Sequence, residues 1–184
     1  MEALKFKTVE DLLDAQDERV ELIDGEIVRR PMARAEHGVV QHRASVELGP
    51  FDHPSGPGGW LIASEISVRY SLHQCPTHDL AGWRKERLSE RPRGVVEVPP
   101  DWVCEIISPG HERKDTLTLF LLLQRQGVPH YWLIWPEDRS LIAFQLDGDT
   151  YRVIASVTAT DPGERKMRIP PFEAVAINLD YLFG

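Results

Sequence analysis

The chain has 184 residues, 42% of them hydrophobic and 27% charged, with a formal net charge of −8 and two cysteines. Such a composition excludes disordered, fibrous and disulfide-stapled classes, and the length suits one domain, residues 1–184, that buries about two-thirds of its unfolded surface. The acidic balance argues against a long nonspecific nucleic-acid surface but leaves room for a local site with its cations confined to one face.

The longest apolar run, "LTLFLLLQRQGV", falls short of the roughly 20 residues that cross a bilayer, and "MEALKFKTVEDLL" has no apolar leader core. A cytoplasmic location without a membrane is therefore expected. In a reducing compartment Cys75 and Cys104, which form no CxxC pair, are expected to be small buried thiols.

In chain order, "TVEDLLDA" predicts a short helix capped by Thr8 with acids in its first turn. "RVELIDGEIVRR" predicts a hairpin turning at Asp24-Gly25, with Glu21 and Glu26 flanking the turn. Residues 36–49 have helical spacing and stop at Gly49-Pro50, and "HPSGPGGW" is a loop by composition. "WLIASEISVRYSL" alternates as a strand does, and a second short strand runs into Asp79. "KERLSERPRGVVEVPP" is a polar excursion. "DWVCEIIS" then reads as a strand buried on both faces, although it carries Glu105. A helix from about Lys114 to Gln126 ends at Gly127. A central strand, "HYWLIWP", follows it. "SLIAFQLDGDTYRVIASV" makes a hairpin, and "FEAVAINLDYLF" gives a last strand with a short helix. The order predicts an α/β fold, a mixed central sheet flanked by helices, preceded by an N-terminal helix and hairpin.

Two carboxylates stand out. Asp79 ends an apolar strand and Glu105 interrupts another, positions where an acid is paired, protonated or bound to a cation if it is buried at all. Either they are separate acids at strand ends, or adjacent strands bring them together. In the second case like-charge repulsion favours a divalent cation, and oxygen ligands favour Mg²⁺ or Mn²⁺. Trp83, Arg84, Lys85 and Arg87 follow Asp79 directly and suggest a nucleic-acid contact, with a ring for stacking and cations for phosphates. The same residues also fit an ordinary polar turn. His37 and His42, and likewise His73 and His78, are five apart. That spacing does not put a histidine pair on one helical face, which argues against a histidine-pair metal site. Trp102, Trp132 and Trp135 lie in apolar strands and are expected in the core or a dimer interface.

The segments "VELIDGEIV", "PSGPGGW", "HDLAGWRKERL", "PDWVCEIISPG", "GVPHYWLIWPEDRSLIAFQLDGDTY" and "LDYLF", in this order and spacing, resemble the Uma-two family within the PD-(D/E)XK nuclease superfamily. The resemblance implies a restriction-endonuclease-like fold and divalent-metal-dependent hydrolysis of DNA phosphodiesters, with Asp79 and Glu105 as metal ligands. It also implies Glu65 or Glu26 as further acids. The chain departs from the pattern in three places. His78 stands where relatives have proline, and Ile107 and Leu119 stand at two positions where a catalytic lysine is found. Lys114, at the start of the same helix as Leu119, is the candidate substitute, and Arg113 is a poorer one because a guanidinium stays protonated. A member that keeps the scaffold as a non-catalytic nucleic-acid-binding protein is the alternative. Cleaving both strands needs two sites, and a mixed sheet has edges that pair, so a homodimer is expected.

Overall fold

The computed structural model describes residues 6–15, 17, 19–30, 32, 34–110, 112–158 and 166–184. Residues 1–5, part of the stretch read above for a leader, lie outside them. Helix α1 (Val9–Leu13) starts at Thr8, whose side chain and that of Asp11 cap each other's backbone N–H reciprocally. Strands β1 (Val20–Ile23) and β2 (Glu26–Arg29) pair with Ile23 opposite Glu26. Asp24 and Gly25 turn the chain at φ values of 50° and 77°, as the dipeptide predicts for a two-residue hairpin. The hairpin is tied to the rest of the molecule through Leu22 and Cys75, which exchange backbone hydrogen bonds.

The central sheet has six strands in chain order: β3 (Trp60–Ser67), β4 (Thr77–Arg84), β5 (Trp102–Ile106), β6 (His130–Trp135), β7 (Ser140–Asp147) and β8 (Thr150–Thr158). Only β5 and β6 run parallel, so only they need a helical crossover. That crossover opens with a π-helical stretch, Lys114–Leu119, and continues as α3 (Phe120–Arg125). On the opposite face lies α2 (Ala35–Asp52), which carries Pro50 inside and runs past the Gly49-Pro50 stop expected from sequence. Of the expected last strand, only β10 (Ile177–Asn178) forms, paired with β9 (Lys166–Met167) and followed by α4 (Leu179–Phe183).

Strand β5 is buried along its whole length because both its faces are covered. Trp102, Cys104 and Ile106 pack toward α2, with Leu48, Phe51 and Phe172. Val103 and Ile107 pack toward the crossover, with Leu119, Leu123 and Tyr131. By alternation Glu105 points to the crossover side. Both cysteines are free and buried. The three tryptophans divide: Trp102 and Trp132 are core residues, whereas Trp135 is only half-buried.

Candidate active site

The alternation of β3 and β4 slips where the acids sit. On β3, Leu61 and Ala63 belong to the crossover face, but so do Ile66 and, just past the strand, Val68, three and five positions beyond Ala63. Between them Glu65 has a φ of 50°, a left-handed conformation that costs a non-glycine residue about 1 kcal/mol or more. The neighbouring pairs Ser64↔Leu80 and Ile66↔His78 put Glu65 opposite Asp79. Strand β4 slips at the same level. Ala81 and Trp83 lie on the crossover face, and His78 reaches Glu105 from that side. The double slip turns Glu65 and Asp79 out of the regular pleat into a cavity of about 460 Å³ between the hairpin, the start of α2 and the start of the crossover helix.

Within it Asp79 Oδ2 accepts the Ile106 N–H at 2.7 Å, while Oδ1 lies 3.4 Å from His37 Nε2 and 4.0 Å from Arg30 Nη2. Glu105 Oε1 lies 2.5 Å from His78 Nδ1, and Oε2 takes a long 3.4 Å contact from the Asp79 N–H. The far nitrogen of His78 meets the Tyr70 hydroxyl at 2.8 Å. Glu65 receives Arg30 at 2.6 Å and Gln41 at 2.7 Å. Lys114 Nζ donates to both oxygens of Glu21, at 3.0 and 3.3 Å. Glu21 also accepts the Thr77 N–H, at 3.1 Å.

Burial and mutual charge set the protonation states. Burial, then the Asp79 charge, raises the Glu105 carboxyl well above its ordinary range. Burial would raise Asp79 too, but the His37 and Ile106 hydrogen bonds and the Lys114 charge outweigh it and hold Asp79 below 3.8. Burial would lower His37, yet the hydrogen bond and charge of Asp79 leave it raised. His78 is pushed down to about 3 by burial and then by Lys114, so it is neutral. Burial opposes the charge on Lys114, but Glu105, Glu21 and Asp115 raise its pKa and keep it a cation.

Asp115 is pushed from 3.8 up to about 8, by burial first and then by Glu105. Its Oδ1 has no hydrogen bond, and Lys114 Nζ lies 3.6 Å away. The folded state therefore keeps a proton that the unfolded chain releases, and the associated stability is complete below pH 3.8 and lost as pH rises through about 8. Asp115→Asn should match the parent near pH 3 and exceed it by a few kcal/mol, roughly, at pH 9. Denaturant unfolding at pH 3, 6 and 9 measures it. A constant difference across the series would exclude a buried titrating Asp115.

The structure brings Asp79, Glu105, Glu65 and Lys114 to one cavity. It places Glu26 outside, exposed, and turns its hairpin neighbour Glu21 inward at 1% exposure. Sequence spacing dismissed a histidine pair, and His42 is indeed exposed, but His37 alone enters the site. The expected nucleic-acid patch is corrected. "GWR" continues β4 instead of turning, and Trp83 is 0% exposed with its indole N–H bonded to Val98 O. Arg84, Lys85 and Arg87 are exposed but sit at the far end of the strand, at least roughly 17 Å along the chain from Asp79. There Arg84 lies over the Trp60 ring, Lys85 bonds Asp52 O and Arg87 pairs with Asp101. Besides Lys114, the cavity is lined by the cations Arg19, Arg29 and Arg30, from the hairpin. Their signal in the sequence was the basic residues bracketing "VELIDGEIV". Leu119 is fully buried in the crossover core.

A mixed six-stranded sheet with paired acids at a break in the edge strand β3 and its neighbour β4 defines a restriction-endonuclease-like nuclease fold. A solved structure described as "a putative nuclease belonging to DUF820", from Anabaena variabilis ATCC 29413, matches it with a TM-score of 0.75. The match covers 96% of this chain and 97% of that one at 19% identity, so it speaks to the fold. The chain itself belongs to the Uma2 family, described as "Putative restriction endonuclease", whose model matches residues 6–179. No curated protein matches. Among the described residues no helix is long and apolar enough to cross a membrane.

Proposed function

We propose that residues 1–184 form one domain that hydrolyses DNA phosphodiester bonds with a divalent metal, Mg²⁺ or Mn²⁺, held by Asp79, Glu105 and Glu65. The observation that carries this reading is the convergence of these acids and Lys114 on one cavity. The donor set fits a cation. Asp79 keeps Oδ1 turned to the cavity, Glu105 Oε2 is engaged only by a long contact, and like charges are crowded where burial penalises them. When bound, the ion supplies neutralisation of phosphate charge and activation of water.

The chain's own residues do the rest. Ile106 N–H fixes the Asp79 carboxylate, and Glu21 fixes Lys114, whose ammonium is then a preset donor for a phosphate oxygen. Arg19, Arg29 and Arg30 ring the cavity and suit flanking phosphates, the role that the strand-end cations are too far away to play. Cytoplasmic DNA is the substrate. A homodimer is the assembly that places a site on each strand, and β3 and β8 are the edge strands of the described sheet.

Purified protein should nick supercoiled plasmid with Mg²⁺ or Mn²⁺ and stop when the metal is chelated. Lys114→Met should slow nicking by about 10²–10⁴-fold with unchanged circular dichroism. Plasmid that is retarded in a gel but never cut, with either metal, would instead identify the non-catalytic binding protein.

A further inference from the structure

We propose that His37 joins the carboxylates as a nitrogen ligand in this cavity, making a mixed nitrogen and oxygen site that selects Mn²⁺ and other transition-metal dications over Mg²⁺. This rests on the reading that the cavity holds a divalent cation, and goes beyond it by naming a ligand and the class of ion.

The geometry carries it. One donor atom from each of His37, Glu65 and Asp79 lies within 4.8 Å of the other two. Six-coordinate ligation at about 2.1 Å puts adjacent donors about 3.0 Å apart and opposite donors about 4.2 Å apart. The 3.4 Å between His37 Nε2 and Asp79 Oδ1 is close to the first distance, so a small closing motion completes the set. The second nitrogen of His37 is already committed, with Nδ1 3.2 Å from Ser108 Oγ. A histidine that ligates metal is held in this way, with the ring oriented by an outer partner, and the other nitrogen, here beside Asp79 Oδ1, faces the ion's position.

Both carboxylates are steered to the same point. Ile106 N–H takes Asp79 Oδ2 and leaves Oδ1 to the cavity. Gln41 takes Glu65 Oε1 and also donates to the Asp79 carbonyl at 3.0 Å, leaving Glu65 Oε2 to the cavity. The left-handed backbone at Glu65 maintains that aim. A cation already stands at this point: the Arg30 guanidinium, 2.6 Å from Glu65 Oε2 and 4.0 Å from Asp79 Oδ1. The pair of oxygens thus already accepts positive charge, and a metal entering there displaces Arg30 toward the cavity mouth. Imidazole suits transition-metal ions, whereas Mg²⁺ prefers oxygen and keeps much of its water, so one nitrogen among the ligands tilts the preference.

Pulsed electron paramagnetic resonance on the full-length protein loaded with Mn²⁺ alone tests the ligand without reference to cleavage. Bound Mn²⁺ should show coupling to a directly ligated ¹⁴N, and His37→Gln, folded by circular dichroism, should lose it. In equilibrium titrations His37→Gln should weaken Mn²⁺ by about 10–100-fold and Mg²⁺, measured by competition, by only a few-fold. Ser108→Ala, which leaves His37 and the carboxylate ligands in place, should weaken Mn²⁺ by about tenfold. If Mn²⁺ binds the parent, is lost in Asp79→Asn, and shows no nitrogen coupling, His37 is not a ligand while the carboxylate site stands. If the parent binds no Mn²⁺ at all, both readings fall together.

Discussion

Glu105→Gln is expected to give a protein that is more stable than its parent in the absence of metal and slower at cutting DNA by roughly 10²–10³-fold. The carboxyl is 2% exposed, in a strand covered on both faces, and Asp79 lies beside it. Burial first, and Asp79 second, raise its pKa well above 4.5. The sign follows from that direction. The folded state holds a proton that the unfolded chain gives up, so the stability from Glu105 is complete below pH 4.5 and is lost as pH rises through the folded value. Glutamine has nothing to lose over that range, and the advantage of the variant should grow with pH.

The shape of the site survives the change. Neutral His78 takes a donated hydrogen bond at Nδ1 from the glutamine amide, and the remaining oxygen still faces the Asp79 N–H. Each kcal/mol recovered is worth roughly 2–4 °C in Tm for a chain of this size. The cost falls on function, because an amide neither carries the ligand charge nor repels Asp79. Thermal unfolding with and without Mn²⁺ separates the two effects: the parent gains Tm on adding metal by linkage, and the variant gains far less. A variant less stable than the parent at pH 8 would show that Glu105 is ionised and satisfied in the metal-free fold.

The same pair shows how far sequence reasoning reaches. Asp79 and Glu105 were legible because each put a charge into an apolar strand, where an acid needs a partner. The hairpin was legible from Asp24-Gly25 and the α1 cap from Thr8, since both signals are local. Glu65, His37 and Glu21 could not be assigned locally. Their directions depend on the slip in β3 and β4, on the end of α2 and on a hairpin docked through Cys75, and all of these are tertiary. Trp83 was misread because a Trp beside three basic residues has the composition of a turn. Alternation with Ala81 instead decides it, and puts the ring in the core. The expected helix from Lys114 is present but opens as a π stretch, and this wider winding changes which side chains share a face.

Leu119→Lys follows from that winding and is expected to unfold much of the protein instead of supplying the missing lysine. Position 119 is 0% exposed and packs in the crossover core with residues such as Trp83, Val103 and Leu123. It does not line the cavity, whereas Lys114 and Asp115, at the start of the same helix, do. A lysine there must bury its ammonium in apolar surroundings or give up its proton, and the leucine's packing is lost either way. A cost of several kcal/mol is expected, on the order of 4–5, which lowers Tm by roughly 10–20 °C. The cationic role proposed above falls to Lys114, which is held 3.0 Å from Glu21 and lines the cavity with Asp79 and Glu105. Two measurements distinguish the positions. Lys114→Met should lose nicking at temperatures where circular dichroism shows it folded, while Leu119→Lys should lose Tm and, below its own transition, show no more nicking than the parent. The double variant Lys114→Met/Leu119→Lys is the decisive case. Recovery of nicking in it would mean that position 119 reaches the phosphate after all and that the helix turns differently when DNA is bound.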